Sequence, residues 1–253
     1  MSFIVVKSAY DYSDAMCADL EPAQNVSLID ANLGPSNFPA RAAASLARRL
    51  GRPSGPDHRA LAQRLRVKIA QLRMGVDDPL IICLFDSTPF AQDETFLRVL
   101  RGLHPRCILV SLIYNVLGAE GEMRADFLKR NYDYCYTFEP TDAALYGFDS
   151  FVGIYSSNVE LPNAEQDLDL CFVGLDKGRL PLLRAIHEFL SQNEIRSRFH
   201  VVSQSPEEGF PTADFVVTRQ RLPYWDSMRI IARSRTILDV LDPRQAGLSL
   251  RSV

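Results

Sequence analysis

Lys177, Gly178 and Arg179 form a short cationic turn between an apolar run ending at Gly174 and a helix-patterned stretch, within LCFVGLDKGRL at residues 170–180. Glycine at a strand-to-helix turn lets the backbone approach a ligand, and the first turn of a helix carries amides with no partner inside the helix. Two cations beside them make an anion site, with phosphate as the natural ligand. An ordinary connection with solvated charges has the same residues. A second loop, DPRQAGLS at 242–249, offers Gln245, Gly247 and Ser249 to a sugar or phosphate, although Pro243 and Gly247 also suit a plain turn.

The first half of the chain places polar residues at the ends of apolar runs. Asp86, Ser87 and Thr88 follow LIICLF, where a carboxylate can act as general base toward an acceptor hydroxyl. Ser87 or Thr88 would equally serve as N-cap of the next helix. Asn115 follows CILVSLIY, and Ser8 and Tyr10 follow the opening run, so each can meet a sugar hydroxyl or simply end a strand.

Such positions need a sheet whose strand ends share one edge. Apolar runs at 3–7, 26–30, 80–85, 107–114 and 132–138 read as strands, interleaved with helical patterns such as GEMRADFLKRN. A long Arg/Ala/Leu-rich region at 39–74 reads as two helices broken at GRPSGPD. Continuous apolar strands between amphipathic helices imply a parallel sheet covered on both faces. The pattern lapses in the polar stretch 156–168 and then resumes, with strands at 170–174, 199–203, 214–218 and 235–241. The expected fold is α/β with two Rossmann-like domains, 1–155 and 169–253, joined by a linker at 156–168 and enclosing a cleft.

The balance of 28 Lys and Arg against 31 Asp and Glu gives a net charge of -3, which excludes a general nucleic-acid binder with a basic field. An anion site in this chain must be local. No apolar stretch approaches a membrane span, and the opening run is too short for a secretory signal. Five cysteines without a CxxC pair read as buried thiols of a cytoplasmic protein, and the four histidines lack metal-ligand spacing. The basic helical stretch ALAQRLRVKIAQLRM reads as a solvated face that is also suited to peripheral contact with an anionic membrane or acidic acceptor.

The segments CFVGLDKGRLPLL and YWDSMRIIARSRTILDVLDPRQAGLSLRS resemble bacterial lipopolysaccharide and capsular polysaccharide biosynthesis proteins of the glycosyltransferase type, with the two-Rossmann GT-B arrangement. The resemblance runs from about Asp169 onward. It implies a nucleotide-sugar donor held by the second domain through Gly174, Lys177, Gly178 and Arg179, with Gln245, Gly247 and Ser249 on its sugar or phosphate. It implies a glycan or lipid-linked acceptor on the first domain, near Ser8, Asp86, Ser87 and Asn115. The nucleotide sugar enters as substrate, and no metal or further cofactor is expected. In the resembling family a glutamate follows the last loop; here the chain ends at Val253, so the second domain reads as incomplete, and a non-catalytic binding or scaffold protein of the same fold is the alternative.

Overall fold

Ten described strands fall into two sheets, and every pairing within them is parallel. The computed structural model describes residues 1–7, 12–21, 23–30, 58–72, 74–88, 90–151, 163–203 and 212–240. The chain divides into two units, Met1–Asn158 and Val159–Pro243. Ser8, Tyr10, Gln245, Gly247 and Ser249, the first of the two helices expected at 39–74, and most of the linker lie outside the described residues.

In the first unit β1 (Ser2–Lys7), α1 (Tyr12–Cys17) and β2 (Val26–Asp30) are followed by α2 (His58–Gln71), β3 (Leu80–Phe85), α3 (Glu94–Arg101) and β4 (Cys107–Ile113). Then come α4 (Gly121–Asn131), β5 (Tyr134–Thr137), α5 (Pro140–Tyr146) and the two-residue β6 (Asp149–Ser150). The sheet order is β2-β1-β3-β4-β5-β6. Successive residues of a strand point to opposite faces, yet here both sets are apolar. Ile4, Val6, Ile82, Leu84 and Leu109 pack with Leu61 and Leu65 of α2, Phe96 and Leu100 of α3 and Leu128 of α4. Val5, Phe85, Val110 and Leu112 pack on the other side with Cys17. Burial on both faces is why these strands read as unbroken apolar runs.

Local chemistry sets the helix ends. The Phe96 amide donates to Asp93 Oδ1 at 3.0 Å, so Asp93, not Ser87 or Thr88, caps α3. The Thr88 hydroxyl instead donates to the Phe85 carbonyl at 2.8 Å and closes the turn after β3. Gly147, at φ 66, ends α5 in the left-handed conformation that glycine adopts without a Cβ penalty.

The second unit holds β7 (Leu168–Leu175), α6 (Leu180–Gln192), β8 (Ser197–Val202), β9 (Phe215–Thr218), α7 (Tyr224–Ala232) and β10 (Ser234–Ile237). Its order is β10-β7-β8-β9. Phe172, Phe199, Val201 and Phe215 form one face with Leu180, Leu183 and Leu190 of α6, and His187 lies against the rings of Phe199 and Phe215. Strand β7 begins at Leu168, inside the expected linker, and runs through Gly174, which pairs with Val201. Gly174 is therefore a strand residue and not part of the turn.

In an open parallel sheet, ligands bind beyond the carboxyl ends of the strands at the place where strand order reverses. The reversal falls between β1 and β3 in the first unit and between β7 and β10 in the second. Asp86 directly follows β3, and the Lys177 turn directly follows β7. Among the described residues no helix is long and apolar enough to cross a membrane.

Candidate functional site

The carboxyl edge of the first sheet gathers three of the residues singled out in the sequence. Asp86 is only 7% exposed, at the end of β3. Its Oδ1 accepts from the Tyr114 amide at 3.2 Å, just past the end of neighbouring β4. Among the described residues its Oδ2 meets longer contacts, Asn115 Nδ2 at 3.5 Å and Arg124 Nη2 at 3.6 Å. At those lengths the ion pair holds charge nearby without a well-formed hydrogen bond. Burial pushes the Asp86 carboxyl above the usual aspartate range, outweighing the pull of Tyr114, Asn115, Arg124 and the Ser87 amide toward the charged form. The Ser87 hydroxyl beside it is buried with no hydrogen-bond partner among the described residues. Sequence reasoning missed Arg124. It sits mid-helix in α4, and its pairing with Asp86 spans elements that only the fold brings together.

A cavity of about 180 Å³ opens at Asp86, lined by Ala91 and Gln92 from the loop after β3 and by Met123, Arg124, Phe127 and Leu128 of α4. Asp86 and Arg124 meet on one side of it, Gln92 is a further polar group, and Ala91, Met123, Phe127 and Leu128 are apolar. A carboxylate with a raised pKa and one oxygen held through long contacts is suited to accept the proton of a hydroxyl brought to it. Lys7, at the end of β1, is buried and committed elsewhere. It pairs with Asp14 and with Asp30 at 3.0 Å, and although burial lowers its pKa, those two partners raise it further.

The second unit's turn has a different character from the one its residues suggest. Lys177 and Gly178 take φ 47 and φ 78, and the Arg179 amide donates to the Asp176 carbonyl at 2.9 Å. Two successive positive φ values closed by that bond are the pattern of a type I′ turn. A Cβ on Gly178 would meet nothing within 4 Å, so glycine is there for its conformation and not for close approach. Gly178→Ala is expected to cost about 1 kcal/mol, a drop of ~2–4 °C in thermal midpoint, with the effect read by calorimetry.

Asp176, passed over in the sequence, organises this turn. Its Oδ1 accepts from the Leu180 amide at 2.8 Å and its Oδ2 accepts from the Ser203 hydroxyl at 3.0 Å, which caps α6 and ties it to the end of β8. Pro181 has no amide to offer. The sequence signal was weak, because Asp176 lies three residues ahead of the N-cap position Arg179 and reaches the Leu180 amide only through the fold of the turn. The Arg179 guanidinium is spent on three carbonyls, with Nε donating to Asp176 at 3.0 Å, Nη2 to Leu175 at 2.6 Å and Nη1 to Val240. It also lies over the Phe172 ring, 5.7 Å from its centroid. Arg179 thus bridges the ends of β7 and β10 across the strand-order reversal. Lys177 stands exposed at the tip of the turn. Among the described residues no His, Cys, Asp and Glu group could hold a metal ion.

No protein-family model matches this chain, and no curated protein matches it. Among solved structures it is similar to a chain of the Glycosylation Associate Protein (Gap123) complex from Streptococcus agalactiae, at 13% identity and a TM-score of 0.37. The likeness covers 69% of this chain and 41% of that one, so this chain spans less than half of the neighbour's length.

Proposed function

We propose that this chain is a glycosyltransferase-like protein of the GT-B type, whose two units are Rossmann-like domains with separate tasks. The observation that carries the reading is Asp86: a buried carboxylate with a raised pKa and an under-coordinated oxygen, at the carboxyl edge of a parallel sheet. In the reaction the acceptor hydroxyl oxygen attacks the anomeric carbon of the donor. A new C–O bond forms, the bond to the diphosphate breaks with its electron pair leaving on the nucleoside diphosphate, and the hydroxyl proton passes to Asp86 Oδ2. Asn115 and Arg124 lie within 3.6 Å of that oxygen, and Ser87 has a further hydroxyl beside it. In the second unit Lys177 stands at the reversal where a donor diphosphate belongs, where a fixed cation favours the growing negative charge. Arg179 keeps the two strand ends in register, and Gln245, Gly247 and Ser249 follow β10 in the chain as candidates for the donor sugar.

A second reading, a nucleotide-binding or scaffold protein without transfer activity, is favoured by one observation: Asp176 and Arg179 satisfy each other's turn internally. Thermal-shift titration with UDP-, GDP-, CMP- and ADP-sugars separates the two. The transferase reading expects one nucleotide series to raise the midpoint, by an amount equivalent to ~2.7 kcal/mol at a hundredfold excess over Kd, and Lys177→Ala to reduce that shift. A shift without sugar transfer supports the second reading, and no shift with any nucleotide overturns the donor site.

A further inference from the structure

We propose that the cavity beside Asp86 is a subsite for one pyranose ring of a carbohydrate acceptor, clamped by Asp86 and Arg124 through a single hydroxyl. The inference deepens the acceptor-side reading of Asp86 and rests on it. Asp86 Oδ2 and Arg124 Nη2 are 3.6 Å apart, too far for a good hydrogen bond and close enough that one oxygen can touch both. The group that completes this pair must donate to the carboxylate and accept from the guanidinium at once. A hydroxyl does both.

The remaining walls narrow the ligand class. A phosphate or carboxylate would face the buried Asp86 carboxylate, and a cation would face Arg124, so a neutral ligand is selected. Ala91, Phe127 and Leu128 give an apolar surface that suits the C–H face of a sugar ring, while Gln92 and Met123 stand exposed at the mouth. Gln92 there can meet a second hydroxyl. The volume of about 180 Å³ lies below the ~300 Å³ at which sites for drug-sized ligands begin, so a whole nucleotide sugar is excluded and a single ring is the fitting unit.

The test uses the full chain and the methyl glycosides of glucose, galactose, mannose and N-acetylglucosamine, followed by saturation-transfer and chemical-shift NMR. At least one glycoside is expected to bind with Kd on the order of 1 mM, and Arg124→Met is expected to weaken it tenfold or more. Met123→Trp provides a second variant at a position 64% exposed, where bulk closes the mouth without disturbing the core. Loss of binding in either variant, with unchanged circular dichroism, supports the subsite. Silence across the panel, or binding unaffected by both substitutions, overturns it. Glycoside binding here with no midpoint shift from any nucleotide sugar leaves the subsite standing and sinks the transferase reading. Nucleotide-sugar shifts with transfer that both variants leave intact do the reverse.

Discussion

Asp86→Asn is expected to lower sugar transfer by about 10²–10⁴-fold while leaving the protein as stable as before or more so. The substitution keeps the shape of the side chain and its acceptor for the Tyr114 amide, and removes a buried charge. The sign of the stability effect follows from the raised pKa. A carboxyl whose folded pKa lies above its unfolded value binds protons more tightly in the native state. Its favourable contribution is complete below the unfolded pKa and is lost as pH rises through the folded pKa. At neutral pH the ionised Asp86 therefore costs stability, and asparagine relieves that cost, by up to about 1 kcal/mol or ~2–4 °C in midpoint. Transfer by the parent protein should rise with pH through an apparent pKa above the usual aspartate range, and Asp86→Asn should flatten that limb. Initial rates and calorimetry between pH 4 and 8 measure both, and a variant that is destabilised with its residual rate still showing the limb would make Asp86 a structural residue.

The second large effect is expected at Arg179, and on stability. Arg179→Ala removes the guanidinium donors from the carbonyls of Leu175, Asp176 and Val240, of which Asp176 keeps the residue 179 amide, and uncovers the Phe172 ring. Hydrogen bonds to charged groups contribute ~1.5–3 kcal/mol each, but water reaches a half-buried site, so a total of about 3 kcal/mol is expected. Arg179→Lys should recover only part of it, because one ammonium cannot span three carbonyls held by a planar fork. Urea denaturation followed by hydrogen exchange in β7 and β10 reads this directly. If instead Arg179→Ala keeps full stability and weakens only nucleotide binding, the guanidinium serves a phosphate and the bridging role is wrong.

The two sites differ in how far the sequence could disclose them. Leu80–Phe85, covered on both faces, announces itself as an apolar run and was readable to the residue, as was the half-buried edge strand Val26–Asp30. Strand β6 was not, because two exposed residues at a sheet edge carry no periodic signal. Asp86, Ser87 and Asn115 were readable as strand-end positions, since a parallel sheet aligns its carboxyl ends whatever the helices between them do. Their assembly with Arg124 was not, because a helix residue's partner across a loop is a matter of tertiary packing. At residues 174–180 the residue types suggested a ligand loop but not its internal bonding: the positive φ of Lys177 and Gly178, the Asp176 carboxylate on the Leu180 amide and the carbonyls on Arg179 are matters of turn geometry that glycine and two cations do not announce.

The pKa of Asp86, followed through its carboxyl carbon by NMR in the free protein and again with a bound methyl pyranoside, tests the central claim most directly. A titration midpoint above the usual aspartate range, together with a carbon shift that moves on adding the glycoside and fails to move in Arg124→Met, is the predicted result. A midpoint in or below that range, with a signal indifferent to the glycoside, would contradict the assignment of Asp86 as the group that receives the acceptor's proton.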